Sequence, residues 1–491
     1  MKATRWIRAL FLIMGSSSLW LLAACQIQKN RKVPHKLPNV LIILADQWRA
    51  QAVGYAGDPN VKTPHIDALA QRSANFEFAV SGNPVCTPFK AALITGQRSL
   101  TNGIFMNDVR LDTAALTIAE VLGNQGYHTG LIGKWHLDGQ RRLGYIPPGP
   151  RRQGFQYWKG INCDHNYNHS AYYFDDDTTL HYWKGYDAIA ETRDAKKYIT
   201  DHAGRQAPFF LMLSWGIPHA PYRAAPDKYK AMYDPTEMQL RPNVPDRIKK
   251  RVQRDLAGYY AHISAMDELV GELVETLKTA GILDNTIILV TSDHGDLLGS
   301  QGMYKKQRPY EESCRVPMLF YYNGRNAIKA GTYDAMINSE DIMPTLLGLC
   351  GLAIPPTVEG VDFSRYVRGT ERNPKDTLAK LVCIQPFGNW PRSKGGREFR
   401  GIRTPHYTYV RDLNGPWLLF DNQQDPYQLN NLVGKSAYAE LQHRLEVALQ
   451  QNLQETHDAF LPGPAYVERY HYPELDSTGT VPYYYNGKLH L

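Results

Sequence analysis

The chain has 491 residues and a formal charge of +7. Setting aside Lys2, Arg5 and Arg8 of the N-terminal leader leaves about +4, too mild a balance to argue for a nucleic-acid partner. The length is enough to bury a large core in about two or three domains, and beyond the leader no apolar run approaches the length of a membrane span.

In the leader, Lys2, Arg5 and Arg8 precede an apolar stretch from Ala9 to Leu22, followed by Ala23-Ala24-Cys25. That is the order of a secretory signal with small residues ahead of its cleavage point. Leu22-Ala23-Ala24-Cys25 is similar to a bacterial lipobox. This implies a lipoprotein signal peptide over 1–24 and a lipidated Cys25; the alternative is a plain signal peptide or an uncleaved anchor. Gln26, where an aspartate would mark inner-membrane retention, implies an exported, lipid-anchored protein of a Gram-negative outer membrane. Residues 25–37 are polar and basic, contain Pro34, and read as a tether.

A catalytic domain is expected over 38–373. Val40 to Ala45 is an unbroken apolar run ending in Asp46-Gln47. Cys86-Thr87-Pro88-Phe89-Lys90 opens the next informative segment, with Thr87 suited to cap a helix, Pro88 to begin it and Gly96 to end it. That places Cys86 beside the positive end of a helix dipole, where thiolates and anions are stabilised. Lys90 lies one turn further on, where a cation opposes the dipole unless an anion is held nearby. A helical pattern follows from Leu116 to Leu122, then a run from His128 to Gly133 that stops at Lys134-Trp135-His136.

Between Asp138 and Tyr186 periodicity breaks down. The density of Tyr, Trp, His and Asn argues against disorder. The segment is expected to wall a substrate pocket, with Asn162, His165, Asn166, Tyr167 and His169 as contact candidates, or else to pack on itself. Phe209 to Trp215 leads to His219, a long helical pattern spans Arg254 to Leu277, and Thr286 to Thr291 runs into Ser292-Asp293-His294-Gly295. Buried runs of this kind alternating with helices predict an α/β fold with a large, mostly parallel central sheet flanked by helices. Ligands bind such sheets beyond the carboxyl ends of the strands, so the polar clusters are expected to converge.

A smaller C-terminal α/β subdomain is expected over 374–491. It shows β-like runs at Tyr407 to Val410 and Trp417 to Phe420 around Asn414-Gly415, a hairpin signal, and then a helix from Ala437 to about Gln454. Cys163, Cys314, Cys350 and Cys383 read as small buried residues, with disulfides left open by their spacing.

The converging set combines oxygen donors (Asp46, Gln47, Asp293), imidazoles (His136, His219, His294) and ammonium groups (Lys90, Lys134). Oxygen-rich donors favour a hard divalent cation such as calcium or magnesium. A metal with several lysines suits a tetrahedral oxyanion, a sulfate or phosphate ester, and histidines supply proton transfer.

At these residues the chain resembles the formylglycine-dependent type I sulfatases of the alkaline phosphatase superfamily. The matching pieces are PNVLIILADQ, CTPFK with LITGQ, GKWHL, PHAPY at 218–222, SDHGDLLG, and Lys306 through Tyr310-Glu311-Glu312 to Arg315-Val316-Pro317. Leu419-Phe420-Asp421, Asp425-Pro426 and Asn431-Leu432 resemble the C-terminal signature of that family. The resemblance implies an alkaline phosphatase-like fold and oxidation of Cys86 to formylglycine by a maturation enzyme, its hydrate being the nucleophile. Asp46, Gln47, Asp293 and His294 match the metal ligands, usually of calcium, with modified Cys86 also touching the metal. Lys134 and Lys306 match the lysines that grip sulfate, His136 the histidine that assists the geminal diol, and His219 the group that protonates the leaving alcohol. The expected reaction is covalent catalysis, in which a hydrate hydroxyl attacks sulfur and sulfate is expelled as the aldehyde re-forms.

Departures from the family pattern set the alternatives. Lys90 replaces an arginine and lacks its planar fork, which bears on maturation. Gln47 and His294 stand where aspartate and asparagine are commoner; that pair also resembles the phosphonate monoester hydrolase and phosphodiesterase branch, and His294 favours manganese more than the usual donors would. The leading expectation is removal of sulfate from a sulfated oligo- or polysaccharide. The alternatives are hydrolysis of phosphonate or phosphate diesters, or an inactive sulfated-glycan-binding lipoprotein.

Overall fold

The computed structural model describes residues 36–371 and 378–490. The signal peptide, Cys25, most of the tether and the expected 373/374 boundary lie outside the described residues. Pro38–Leu491 forms one compact unit.

A 10-stranded sheet organises the larger part of the molecule. Its strands are β1 (Asn39–Asp46), β2 (Ala74–Val80), β3 (His128–Lys134), β4 (Tyr157–Ile161), β5 (Ala171–Phe174), β6 (His181–Tyr182), β7 (Phe209–Pro218), β8 (Thr286–Ser292), β9 (Met318–Tyr321) and β10 (Gly331–Asn338). In space they run β10-β2-β9-β8-β1-β7-β3-β4-β5-β6. The centre is parallel: β1 pairs with β7 and β8, and β3 with β7 and β4, while β9 runs antiparallel to both its neighbours. Every residue of β1 is buried, as is every residue of β7 and β8. Burial on both faces is why these strands are continuous apolar runs rather than alternating ones.

The helices used below are α1 (Cys86–Thr95), α2 (Ile118–Asn124), α3 (Asp187–Ala203), α4 (Lys249–Thr279) and α5 (Ala439–Glu455). On α4, Leu256, Tyr260, Ile263, Leu273 and Leu277 share one hydrophobic cluster with Leu41 and Ile43 of β1 and Leu211 and Leu213 of β7. Thr117 caps α2 in a capping box with Glu120.

Two local expectations are corrected. Thr87 does not cap α1: the cap position is Val85, in extended conformation, and Cys86 is itself the first helical residue. The cap is supplied from elsewhere, by Asn107, whose Oδ1 accepts from the Thr87 backbone N–H at 3.1 Å. Pro88 still falls in the first turn, where its missing N–H costs nothing. The region from Asp138 to Tyr186 is not an aperiodic loop throughout: it supplies β4, β5 and β6, which extend the main sheet.

The second sheet is antiparallel, in the order β11 (Ala379–Cys383), β12 (Phe399–Arg403), β13 (Tyr407–Asp412) and β14 (Gly415–Asp421). Leu445, Leu449 and Leu453, one helical turn apart on α5, pack against Ile402, Tyr409 and Leu419 of this sheet. The molecule is thus an α/β fold with a large, mostly parallel sheet and a smaller antiparallel sheet covered by a helix. A last hairpin, β15 (Tyr483–Tyr485) with β16 (Lys488–His490), docks on the segment after β3, where Arg142 donates its backbone N–H to the Tyr484 carbonyl at 3.1 Å. Cys163, Cys314, Cys350 and Cys383 are free and buried.

Candidate active site

The carboxyl ends of β1, β3, β7 and β8 and the N-terminus of α1 meet at one point. Asp46, Cys86, Asp293 and His294 place one ligand atom each within 4.8 Å of one another, and all are buried. Cys86 Sγ lies 3.3 Å from His294 Nε2, 3.4 Å from Lys306 Nζ and 3.8 Å from Asp46 Oδ1. Lys134 Nζ reaches Asp46 Oδ2 at 2.5 Å, and Lys90 Nζ stands 3.5 Å from Asp293 Oδ2. Lys90 therefore needs no free anion to explain a cation in the first turn of α1, because the protein supplies Asp293.

Backbone strain concentrates at two of these positions. Gln47 and His136 are non-glycine residues at φ +71° and +58°, a conformation persistent only where the surroundings enforce it. For Gln47 the enforcement is complete: its N–H donates to Asp293 Oδ1 (2.9 Å), its carbonyl accepts from Tyr259 OH (2.8 Å) and its amide donates to Asp296 Oδ2 (2.8 Å). Its remaining oxygen accepts from Lys306 Nζ at 3.0 Å. The His136 N–H donates to the Asn162 carbonyl at 2.7 Å, and its Nε2 faces Asp108 Oδ1 at 3.5 Å.

The charges are mutually dependent. Burial alone would raise the Asp46 carboxyl, but Lys134, His219, Lys306 and Lys90 outweigh it and hold Asp46 well below the usual carboxylate range. Burial and Asp46 likewise oppose ionisation of Cys86; Lys306, Lys134 and His294 prevail and bring the thiol well below its ordinary value. Asp293 goes the other way, raised by burial and by the neighbouring Asp46. Burial, and then Lys306, push His219 well down. Two buried carboxyl groups with a thiol and an imidazole, and an Asp293 Oδ2 that accepts no hydrogen bond, fit a divalent cation, which would relieve the repulsion between the carboxylates.

Beyond this cluster opens a cleft of about 430 Å³ lined by Cys86, His136, His165, His219 and Lys306. The His165 and His219 rings stack, with centroids 4.2 Å apart and planes 13° apart. Of the contact candidates in the 138–186 region only His165 lines this cleft. Asn162 is fully buried, with its side chain bonded to the Gly139 carbonyl and the Asp138 N–H. Tyr167 is buried and donates to the Gly216 carbonyl, while Asn166 and His169 are exposed, His169 stacking on Tyr182. The polar atoms of Asn162 and Tyr167 are spent on neighbouring backbone, a use the sequence cannot distinguish from substrate contact.

Other cleft residues escaped the sequence reading. Asp108 and Arg142 form a fork, Nε to Oδ1 at 2.9 Å and Nη2 to Oδ2 at 2.7 Å. Lys305, Thr478, Tyr483 and His490 also line the wall. The one available signal was Lys305, a lysine directly before the motif that begins at Lys306.

A family model described as Sulfatase matches residues 38–352, and one described as N-sulphoglucosamine sulphohydrolase, C-terminal, matches 299–455. A Formosa agariphila protein named ulvan-active sulfatase is 42% identical over 99% of this chain and 95% of its own length. An endo-4-O-sulfatase of Bacteroides thetaiotaomicron is 30% identical over 85% of this chain and 92% of its own. Among solved structures, a Bacteroides fragilis protein described as a sulfatase superposes with a TM-score of 0.80 at 31% identity, covering 88% of this chain and 98% of that one. The first family model spans Asp46, Cys86, Lys134, His219, Asp293 and Lys306, and the match covers well over half of the chain: the chain belongs to the sulfatase family and is a sulfatase.

Proposed function

We propose that this enzyme removes sulfate from a sulfated carbohydrate, with Cys86 converted to formylglycine. The observation that carries the reading is the seat of Cys86: its sulfur lies within 3.4 Å of both His294 and Lys306, at the start of a helix and on the floor of an open cleft. An oxidised Cys86 at that point meets cations on one side and substrate on the other. Carbohydrate is favoured by the names of the relatives, one ulvan-active and one an endo-4-O-sulfatase, and by a cleft volume in the range of small-ligand sites.

Asp46, Gln47, Cys86, Asp293 and His294 would hold the metal, with calcium preferred on the oxygen donors and manganese or magnesium as alternatives. When bound, the ion supplies positive charge toward the ester oxygens. The remaining work falls to side chains. Lys306 and Lys134 bind and orient the sulfate; Lys134 is kept charged by Asp46 against the effect of burial. His219 donates a proton to the leaving alcohol oxygen, and an arriving sulfate counters Lys306, which together with burial and Lys134 pushes the imidazole pKa well down in the empty cleft. His136 accepts a proton from the hydrate, its backbone fixed by Asn162 and its ring facing Asp108.

The leader motif around Cys25 adds the proposal of a lipid-anchored, exported protein, on the outer membrane of a Gram-negative cell, which meets its maturation enzyme before use. Among the described residues no helix is long and apolar enough to cross a membrane. The functional test is sulfate release from sulfated oligosaccharides, followed by ion chromatography, alongside turnover of aryl phosphonate esters. Chelation should abolish sulfate release and calcium restore it. Faster turnover of the phosphonates, or restoration by manganese alone, would move the assignment to the phosphonate branch.

A further inference from the structure

The cations at and beneath the cleft floor are, with one exception, partnered. Lys134 is held by Asp46, Lys90 faces Asp293, and Arg142 forks onto Asp108. Lys306 adjoins the Cys86 sulfur, where the scissile sulfate would sit. Lys305 is the exception. It lines the same cleft, and no carboxylate among the described residues forms an ion pair with its ammonium. The acid whose charge it feels, Asp296, is already occupied: Oδ2 accepts from Gln47 and Tyr222, and Oδ1 from the backbone N–H of Leu298 and of Lys305 itself.

The backbone puts Lys305 there at a cost. Adjacent side chains on an extended segment point to opposite sides, yet Lys305 and Lys306 both line one cleft. The chain achieves this by holding Lys305 at φ +65° and Gln307 at φ +72°, which non-glycine residues rarely adopt. The turn is pinned on several sides. The Lys305 N–H donates to Asp296 Oδ1 at 2.9 Å, its carbonyl accepts from the Leu297 N–H at 2.8 Å, and Arg308 donates to the Lys306 carbonyl at 2.7 Å. Burial and the neighbouring Lys306 both disfavour the charged form of Lys305, a cost that an anion in the cleft would offset. Elsewhere on the wall, Tyr483 stacks on His490 with centroids 5.2 Å apart and carries the Arg142 guanidinium over its ring, 3.4 Å from the centroid.

We propose that Lys305 anchors a second anionic subsite of this cleft, one that takes a carboxylate or a second sulfate carried by the same carbohydrate as the scissile ester. The inference rests on the sulfatase reading of the cleft and adds a substrate class to it: sugars bearing two anionic groups within reach of adjacent lysines. Lys306 holds the ester to be cleaved, and Lys305 selects the substituent beside it.

The test is calorimetric titration of the full chain in calcium with Cys86 left as the thiol, so that binding is read without turnover. Three oligosaccharides of one backbone serve as probes: one sulfate ester alone, the ester with a carboxylate, and the ester with a second sulfate. The doubly charged sugars should bind about tenfold tighter than the singly charged one, the worth of one charged hydrogen bond. Lys305→Gln should erase that advantage and Lys305→Arg keep it. Whichever doubly charged sugar gains more identifies the natural substituent. In matured enzyme the same advantage should appear in KM rather than kcat. Equal affinity for all three, a preference that survives Lys305→Gln, or no binding of any would overturn the subsite. A binding preference in the thiol form with no sulfate released by matured enzyme would instead overturn the sulfatase reading and leave the subsite standing.

Discussion

Lys90 breaks a local rule, a cation in the first turn of a helix, and the break is explained across the fold by Asp293. Neither partner is exposed, and removing one member of a buried pair leaves the other uncompensated. Lys90→Met should therefore destabilise the metal-free protein by about 3–5 kcal/mol, measured by urea unfolding, and by less with calcium present, since the ion would take over the neutralisation of Asp293. Equal losses in both conditions would show that Lys90 does not serve this carboxylate. His219 makes a separate prediction. A sugar alkoxide is a poor leaving group and needs a proton, whereas a nitrophenolate leaves nearly unaided. His219→Ala should therefore slow sugar sulfates roughly 100- to 10,000-fold and activated aryl sulfates far less; equal losses would remove His219 from the acid role.

His219, like Asp46, Lys134 and Asp293, was legible because it follows an apolar run and the rule for parallel sheets says where such ends meet; Lys90, with Cys86, was legible from a helix-start pattern. Asp108, Arg142 and the C-terminal hairpin were not, because their partners are distant in sequence. The fork between Asp108 and Arg142 spans 34 residues, and the bond from Tyr485 to Asp164 spans 321. No periodicity or capping pattern encodes such pairs.

At the level of elements, the long apolar runs became strands β1, β3 and β8 to within a residue at each end, and β7, which runs three residues further to Pro218, since burial on both faces leaves no other pattern. The short strands β4, β5 and β6 were missed because a run of two to five residues rich in aromatics reads equally as loop. Helix α4 carries the element-scale prediction. Its His262 is fully buried between the Tyr186 hydroxyl and the Pro221 carbonyl, and burial pulls its pKa from 6.5 to about 4. Between those values the unfolded chain binds a proton that the folded chain refuses. The stability this neutral histidine provides is complete above about pH 6.5 and is lost as pH falls toward 4. His262→Gln keeps a hydrogen-bonding amide without the titration. Its urea stability should fall less between pH 7 and pH 4.5 than that of the wild type, by up to about 2–3 kcal/mol. Parallel pH slopes would show that His262 is not the group responsible.

Over the whole molecule, the large sheet gathers the chemistry and the chain's last segment shapes the approach to it. The hairpin β15–β16 hangs from the segment after β3 and brings Tyr483 and His490 to the cleft wall. None of residues 482–490 is fully buried. Deleting 482–491 should weaken oligosaccharide binding while thermal unfolding stays cooperative and close to wild type; loss of cooperative unfolding would mean that the hairpin supports the core rather than the cleft.

Everything proposed for the cleft converges on the chemical state of Cys86. Burial, the cations Lys306, Lys134 and His294 that pull its thiol well below the ordinary value, and the metal-fitting cluster around it all have a use if the side chain is an oxidised nucleophile. Lys90, where the resemblance implies an arginine, is the feature that makes this the point to test. Peptide mass spectrometry across residues 86–90, on protein purified from its own host, reads the state directly. The account predicts an aldehyde at Cys86 in a fraction that scales with sulfate released per molecule; a free thiol throughout, in protein that still binds sulfated sugars, would contradict it.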